Sequence, residues 1–431
     1  MLIQFRVANY LSIKDPVTFS MVAAKGAELW DSNVFQEDKF DLLRSAVLYG
    51  ANASGKSNFI KAITFARSFI LGSQKTQVDE PVPVESFKLN AATENEPSLF
   101  EFIFVNQGVR YRYGFQADRL EIKNEWLFHA PKGREAKLFE REKQAIELGE
   151  DFKAAKGLEG RVRNNILFLS VAAQFNVELA ISLSKWFSRC KTLSGLRDEG
   201  FLGYTFKQLE RDEFRKRCLL FLKAADLGIE DLKVLQQERS VESLDKLPAA
   251  LAAKIRDSAG KGGLPGDIKK ILTEIKTIHN KYDGDNELVG PVSFDLGTEE
   301  SAGTRKLFAL SGPIMDSLDN GNIVFVDEFD SKLHPSLMQF ILSLFHSKEN
   351  NPKGAQIIFT AHNTYLLNRR TFRRDQVWFV EKDKFGGSHF SSLVDFKIRK
   401  TASFDKDYLL GKYGAVPFVG TCDFLGEDHD H

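Results

Sequence analysis

The sequence contains little cysteine and no long apolar segment. Its three cysteines, Cys190, Cys218 and Cys422, lie far apart and form no C-x-x-C pair. This spacing argues against a zinc ribbon or a disulfide framework and favours a reducing compartment. No apolar run approaches the roughly 18 residues that span a bilayer, and charge enters the first segment, "MLIQFRVANYLSIKD", too early for a signal peptide. We therefore expect a soluble cytoplasmic protein that reaches a membrane only through a partner.

An excess of charge of either sign is also absent. Lys and Arg number 59, Asp and Glu number 59, and the net charge is +0. This balance argues against wholesale wrapping of nucleic acid but is compatible with a local basic stripe. No heptad repeat is sustained long enough for a coiled-coil arm, and there is no internal repeat. Phenylalanine is abundant, with 37 residues for core packing or interaction surfaces.

The octet Gly50–Ser57, "GANASGKS", matches the phosphate-binding pattern G-x-x-x-x-G-K-[ST]. The apolar run "SAVLYG" predicts a strand before it, and apolar residues at helical spacing predict a helix after it. In that context, backbone N–H groups and a helix N-terminus hold phosphates. A glycine-rich turn that merely closes a βα unit is the alternative. We expect ATP to bind through Gly50, Asn52, Ala53, Ser54, Gly55, Lys56, Ser57 and Asn58, with Lys56 on the β- and γ-phosphates and Ser57 on Mg²⁺.

Two further apolar strands end in residues suited to hydrolysis. "IVFVDEFD" delivers Asp327, expected to hold Mg²⁺ through water, and Glu328, expected to orient or deprotonate the attacking water. "IIFTAHNTYLL" places His362 where it donates to the γ-phosphate or the water and senses the nucleotide state. Solvated acids at a strand end, and a histidine satisfied in the same way, are the alternatives. The expected catalytic residues are Glu328, His362 and Lys56.

The stretch "EESAGTRKLFALSGPIM" precedes the acidic strand and starts with small residues. Ser301 and Gly303 lie at the expected start of a helix, whose N-terminus binds a γ-phosphate or is simply capped by these residues. After the acidic strand, "SKLHPSL" with Asp330, Leu333 and His334 is expected to form a loop that crosses to a second subunit, or else a turn stopped by Pro335.

A glutamine that couples nucleotide state to the rest of the chain is less clearly marked. Gln174 follows an apolar run in "FLSVAAQFN" and is expected to ligate Mg²⁺ and contact the nucleotide; Gln116 is the competing candidate.

The pattern of strands and helices predicts an α/β fold with an added antiparallel sheet. Strands are expected at residues 2–8 and 17–21, three more in 98–128, and one at 376–383. Charged helical patterns follow between about 177 and 285. We divide the chain into an N-terminal ATPase lobe, 1–175, a helical insertion, 176–288, and a C-terminal ATPase lobe, 289–431.

The order of these motifs resembles that of an ABC-type P-loop ATPase head. "FRVANYLSIKD" followed by "LYGANASGKSN" is similar to the RecF/SMC branch rather than to transporter cassettes. "ESAGTRKLF", "VDEFDSKLHPSL", "FTAHNTYLL" and "YLLGKYGAVP" resemble the RloA- and AbiL-like ATPases of bacterial defence loci, which are grouped with the ATPase portion of OLD-family nucleases. The resemblance implies a RecA-like core sheet with an antiparallel β subdomain, and functional residues at Asn52, Gly55, Lys56, Ser57, Ser301, Gly303, Asp327, Glu328 and His362.

The resemblance also implies a mode of action. Two heads would form a homodimer or a higher oligomer around ATP and Mg²⁺, and their closure would sense or gate an effector in an anti-phage defence system. The segment after His362 is too short for the Toprim nuclease of OLD proteins, so a nuclease or toxin effector is expected on a separate chain. Nucleic acid is a possible partner, and a RecF-type DNA-repair ATPase is the alternative function. A transporter cassette would need a membrane partner and a conventional L-S-G-G-Q signature, which is absent.

Overall fold

The computed structural model describes residues 1–196, 199–240, 269–399 and 402–416. The chain forms two compact units, one of Met1–Arg197 with Met315–His431 and the other of Asp198–Ile314. Of the three cysteines, Cys422 lies outside the described residues, and both Cys190 and Cys218 are buried free thiols. Each helix in the described ranges is too short or too polar to cross a lipid bilayer.

The first unit contains a large antiparallel sheet. Its strands are β1 (Leu2–Ala8), β2 (Val17–Ser20), β6 (Ser98–Asn106), β7 (Val109–Ala117), β8 (Ile122–Ala130), β9 (Ala136–Glu142) and β10 (Ala145–Leu148). They are ordered β10-β9-β8-β7-β6-β1-β2, and a small hairpin, β3 (Val34–Glu37) and β4 (Phe40–Leu43), lies apart from them. The expected strands at 2–8, 17–21 and 98–128 are confirmed. Alternate residues such as Phe100, Phe102 and Phe104 are buried, as the period of a strand requires.

The second sheet of this unit is mainly parallel. Its strands are β5 (Ser45–Tyr49), β11 (Cys190–Ser194), β15 (Ile323–Asp327), β16 (Gln356–Thr360), β17 (Val377–Lys382) and β18 (Ser388–Ser392). The order is β11-β15-β16-β5-β17-β18, with only β18 antiparallel to its neighbour among these strands. Every residue of β5 and β16 is buried, which fits a sheet covered on both faces. The carboxyl ends of β15, β16 and β5 therefore meet at one edge.

Helices of the first unit are α1 (Trp30–Asn33), α2 (Lys56–Gly72), α3 (Phe168–Gln174), α4 (Glu178–Arg189), α8 (Pro335–His346) and α9 (Phe404–Leu409). The predicted apolar stripe of α2 (Phe59, Ile63, Ala66 and Ile70) is buried. The Phe59 ring contacts Phe5 and Phe19 of the antiparallel sheet, and Phe390 of the parallel one. Helix α2 is therefore packed between the two sheets, which fixes the loop at its N-terminus.

The second unit combines helices with a sheet. Its helices are α5 (Glu199–Gln208), α6 (Asp212–Ala224) and the first part of α7 (Ala302–Asn320); its strands are β12 (Asp231–Ser240), β13 (Lys269–Tyr282) and β14 (Leu288–Asp295). They pair antiparallel in the order β12-β13-β14. The prediction of a helix through "KKILTEIKTIHNKY" is wrong, because alternate residues Ile275 and Thr277 are buried on one face of a strand.

The predicted boundaries of the insertion, 176–288, also differ from those of the second unit. Helix α4 and β11 belong to the first unit, since β11 pairs with β15 and Trp186 and Phe187 lie in its core. At the other end, the second unit continues through β14 and into α7 as far as Ile314. The helical spacing of apolar residues in these segments did not indicate which of the two units each segment packs against.

Candidate nucleotide-binding and hydrolysis site

The loop between β5 and α2 requires glycine at two positions. A Cβ at Gly50 would meet the carbonyl oxygen of Val380, and one at Gly55 would meet the Ser388 hydroxyl. Gly55 also has a φ of 113°, in the left-handed region that favours glycine. Asn52 and Ala53 are exposed at the tip, and Ala53 has a φ of 59°. The loop therefore has the backbone conformation and close packing that its glycines predicted.

A small hydroxyl network supports this loop from below. Ser388 Oγ donates to the Ser54 carbonyl oxygen at 2.6 Å and lies 2.8 Å from Ser12 Oγ. The Asn58 amide donates to Ser12 Oγ at 2.7 Å. Asn58, predicted to contact the nucleotide, therefore directs its amide to Ser12 and acts on the loop's support. Sequence reasoning missed Ser12 and Ser388 because they are distant in the chain and ordinary in their local context.

The Lys56 ammonium lies inside the loop. It donates to the carbonyl oxygens of Gly50 at 2.7 Å and Ala51 at 3.0 Å. Burial lowers the pKa of Lys56 to about 8, a decrease that is partly offset by the charges of Asp330, Asp327 and Glu328. The Ser54 hydroxyl is buried and has no hydrogen-bond partner among the described residues. Both groups fit a loop that surrounds phosphate oxygens.

The acidic strand meets the loop through Asp327. Ser57 Oγ donates to Asp327 Oδ1 at 3.0 Å, and Thr360 Oγ1 donates to the same oxygen at 2.8 Å. Thr360 Oγ1 also accepts from the Glu328 backbone N–H at 2.7 Å. Thr360 ends β16, the strand between β15 and β5, so its hydroxyl reaches both acidic residues. The expected juxtaposition of Ser57 and Asp327 is present, and Thr360 is an additional member that the strand end "IIFTAH" could have indicated.

Glu328 has a strained backbone that its neighbours hold in place. Its φ is 51°, a left-handed conformation that costs a non-glycine residue on the order of 1–2 kcal/mol. A Cβ at Gly195 would collide with the Glu328 carbonyl group, and the Gly195 N–H donates to Asp327 O at 2.7 Å. Gly195 therefore allows the segment after β11 to lie directly against the acidic turn. A single glycine at position 195 gave no signal of this role in the sequence.

His362 is exposed in the loop after β16, and its backbone is held by Asp330. Asp330 Oδ2 accepts from the N–H groups of His362 and Asn363, each at 2.7 Å. Sequence reasoning assigned Asp330 to a loop that crosses to a second subunit, whereas its carboxylate binds the histidine loop of its own chain. In the same segment, His334 Nδ1 accepts from Ser336 N at 3.3 Å and caps α8, which has Pro335 at its first turn, and Leu333 is buried.

In the second unit, Ser301 caps the helix that carries the predicted signature. Ser301 Oγ accepts from Thr304 N at 3.0 Å at the start of α7, and Gly303 is half-buried in its first turn. Glu300 accepts a hydrogen bond from Thr277 and lies 2.7 Å from His279 Nε2. The capping alternative is thus realised, and it leaves the exposed Ser301 side chain and the helix N-terminus able to receive an anion.

Gln174 does not lie at the predicted metal position. It is exposed at the end of α3 and lines a cavity of about 460 Å³ with Leu71 and Gln74, at the C-terminal end of α2. Ser57 is at the opposite end of α2, so about 20 Å of helix separates the two within one chain. The predicted Mg²⁺ and nucleotide contact of Gln174 is therefore wrong within a single chain. The competing Gln116 accepts from the Asn124 amide at 2.7 Å.

The residues present fit ATP with Mg²⁺. Ser57 and Asp327 supply a hydroxyl and a carboxylate oxygen at one point, the hard oxygen donors that Mg²⁺ uses together with phosphates. The loop and the N-terminus of α2 supply a partial positive field beside them.

Comparison with protein families agrees with this geometry. Residues 45–368 match a family described as "AAA domain, putative AbiEii toxin, Type IV TA system". The chain belongs to this AAA-domain family. The match begins in β5 and ends after the histidine loop, so every motif of the site lies within the AAA-domain region. A search of curated proteins gave no match.

The AAA-domain chain is also similar, at low sequence identity, to several solved structures. The SMC head domain from Thermotoga maritima is 14% identical, with a TM-score of 0.40 and coverage of 92% of this chain and 99% of that one. An SMC head bound to the C-terminal winged-helix domain of ScpA is 11% identical, with a TM-score of 0.43 and coverage of 95% and 99%. RecF with ATP is 13% identical, with a TM-score of 0.36 and coverage of 90% and 97%.

Proposed function

We propose that the protein hydrolyses ATP between two heads, and that ATP-driven dimerisation gates a separately encoded effector in a bacterial defence system. The observation that carries the proposal is the cluster of Ser57, Asp327, Thr360 and Glu328 beside the phosphate loop. It brings a metal ligand pair and a carboxylate base to one edge of a sheet. The family description, which names a toxin and a type IV toxin–antitoxin system, supports the defence role. The motifs resembling RloA- and AbiL-like ATPases support it further.

The roles of the chain's own residues follow from their chemistry. Lys56 and the loop N–H groups bind the β- and γ-phosphates and neutralise charge that grows as the bond to ADP breaks. Glu328 accepts a proton from the water that attacks the γ-phosphorus, and His362 donates a hydrogen bond to the γ-phosphate. Mg²⁺, when bound by Ser57 and Asp327, acts as a Lewis acid on the phosphate oxygens.

The second half of the site is proposed to come from another copy of the chain. Ser301 and the N-terminus of α7 would contact the γ-phosphate bound to the partner's loop, so that hydrolysis requires dimerisation. Closure of two heads would exclude water and complete the site, and ATP would favour the closed dimer by binding it more tightly than the open state.

Substitution of Glu328 tests both parts of the proposal. E328Q keeps the shape of the side chain but removes the base, so ATP should bind, hydrolysis should fall by about 100-fold or more, and a dimer should accumulate in ATP but not in ADP. K56A is the matched control, and it should neither bind ATP nor dimerise. An E328Q variant that hydrolyses ATP at the wild-type rate, or that stays monomeric in ATP, contradicts the proposal.

The alternative of a DNA-binding repair ATPase makes a different prediction for the same variant. E328Q locked with ATP would then bind duplex DNA, and log affinity would fall linearly with log salt as counterions are released. The proposed defence function predicts instead that the E328Q dimer with ATP copurifies with the product of a neighbouring nuclease or toxin gene. DNA binding without such a partner would favour repair.

A further inference from the structure

Asp330 lies three positions after Asp327, on the turn that leaves the acidic strand. Its carboxylate does not point to solvent alone, because Oδ2 accepts two backbone hydrogen bonds of 2.7 Å from His362 and Asn363. A charged acceptor shared by two successive N–H groups makes stronger hydrogen bonds than a neutral one. The loop that carries His362 is therefore tied to the turn that carries Glu328.

The two ends of this connection are themselves held in place. On one side, Glu328 N donates to Thr360 Oγ1, and Phe329 N donates to Thr360 O at 3.0 Å. On the other, Asn363 Oδ1 accepts from Tyr365 N at 2.9 Å and caps the short helix after His362. His362 itself is exposed, and the Asp330 carboxylate accepts its backbone N–H. Asp330 thus links the turn that carries Glu328 to the loop that carries His362.

We propose that Asp330 is a positioning residue that sets the place of His362 relative to Glu328, and that it acts on the rate of hydrolysis rather than on ATP affinity. The inference rests on the proposed function, because it assumes that His362 contacts the γ-phosphate or the attacking water. A misplacement of about 1 Å at a reacting centre can cost on the order of 100-fold in rate, whereas the phosphate loop and Lys56 remain intact.

Two substitutions separate positioning from charge. In D330A the oxygen that accepts both N–H groups is lost, and kcat should fall by about 10- to 100-fold. The KM for ATP should stay within about twofold when it is measured at about pH 6.5, where Lys56 remains charged without the nearby Asp330 carboxylate. D330N retains a side-chain oxygen that accepts both N–H groups, and it should recover most of kcat although the negative charge is gone. The matched control is D118A, since Asp118 Oδ1 accepts from Leu120 N at 2.8 Å and Glu121 N at 2.9 Å in a turn of the antiparallel sheet.

A double-mutant cycle with His362 tests whether Asp330 acts through that residue. The D330A/H362A variant should be no slower than H362A alone, because the histidine that Asp330 positions has been removed. Multiplicative losses in the double variant, or equal losses in D330N and D330A, overturn the proposal. Loss of the ATP-dependent dimer in D330A/E328Q also overturns it, in favour of a loop that crosses to the second subunit.

Hydrogen exchange gives a readout that does not depend on hydrolysis. The amides of His362 and Asn363 should exchange faster in D330A than in the wild type, and close to the wild-type rate in D330N and D118A. Unchanged exchange in D330A shows that the Asp330 carboxylate does not hold the loop that carries His362, and this result overturns the inference. If the wild type neither binds nor hydrolyses ATP, the proposed function fails, whatever the exchange result.

Discussion

The Ser57 hydroxyl donates a 3.0 Å hydrogen bond to the Asp327 carboxylate, joining the phosphate loop to the acidic strand. Asp327 ends β15, and Ser57 lies in the first turn of α2, the helix that follows β5. Strand β16 lies between β15 and β5, and Thr360 at its end binds the same carboxylate oxygen. Two strand ends and the N-terminus of α2 thus meet at one oxygen atom. This arrangement explains why residues distant in sequence act together, and it makes the effects of single substitutions predictable.

The lowered pKa of Lys56 predicts that ATP affinity depends on pH. Because burial brings this pKa to about 8, the ammonium is charged below that pH and neutral above it. ATP affinity should therefore be highest below about pH 8 and fall as pH rises through that value, by up to about tenfold per pH unit. Titration calorimetry between about pH 7 and 9.5 measures it.

K56R is the control for this pH profile, since a guanidinium stays charged over the whole range. Its affinity should be weaker than that of the wild type at neutral pH but flat with pH. A wild-type affinity that is equally flat would show that Lys56 does not titrate in this window.

Replacement of Thr360 by valine tests its bridging hydroxyl. T360V keeps nearly the same volume but leaves Glu328 N without its acceptor and removes one of the two side-chain donors to Asp327 Oδ1. The free energy of unfolding should fall by about 1–3 kcal/mol, and kcat by about tenfold or more because Glu328 loses its alignment. Chemical denaturation and steady-state kinetics measure the two effects.

T64V is the matched control for this substitution. Thr64 Oγ1 donates to Ile60 O at 2.8 Å within α2, a local bond that involves no site residue. T64V should leave kcat near the wild-type value. Equal kinetic losses in T64V and T360V would contradict a specific role for the Thr360 bridge.

Replacement of Gly195 by alanine should displace the acidic turn. The new Cβ would collide with the Glu328 carbonyl group, which is backbone and cannot rotate away. G195A should lower the free energy of unfolding by about 1–3 kcal/mol and reduce kcat more than ATP affinity. G160A is the control, since a Cβ at Gly160 has no neighbour within 4 Å. A fully active G195A would show that the turn tolerates the shift.

The position of Gln174 predicts that it has no direct metal role. Q174A should retain Mg²⁺-dependent hydrolysis within about twofold of the wild type, because about 20 Å of helix separates this residue from Ser57. D327N, which removes the metal-binding charge, should lose the Mg²⁺-dependent hydrolysis of ATP. A large rise in the Mg²⁺ concentration needed by Q174A would mean that Gln174 reaches a metal in another copy of the chain.

Much of the site was predictable because each motif lies at the end of an apolar strand. Gly50–Ser57, Asp327–Glu328 and His362 are local signals, and a parallel sheet brings the carboxyl ends of their strands to one edge. The antiparallel strands in 98–128 were equally clear from their β-branched and aromatic residues and from the turn residues between them. The local sequence pattern was sufficient to predict an element wherever its apolar residues followed the spacing of that helix or strand.

The contacts that sequence reasoning missed are those set by tertiary packing. Ser12 and Ser388 support the phosphate loop from opposite ends of the chain, and Gly195 packs on a backbone turn. The strand β13 was taken for a helix because Ile271, Ile275 and Ile278 also fit helical spacing, and pairing with β12 decided between the two periods. The prediction that Gln174 binds Mg²⁺ was wrong because the sequence around an exposed glutamine does not indicate which part of the structure it faces.

Complementation between two inactive variants tests the shared site most directly. K56A lacks phosphate binding, and S301E places a negative charge at the N-terminus of α7, so each should be inactive alone. In an equal mixture, a mixed dimer would have one site made of intact halves. Each mixed dimer has one working site of two, so the mixture should recover about a quarter of the wild-type ATPase rate if subunits pair at random, and up to about half if only mixed dimers form. A mixture that stays inactive while each variant folds, or an S301E variant that is fully active alone, would contradict a site shared between two copies of the chain.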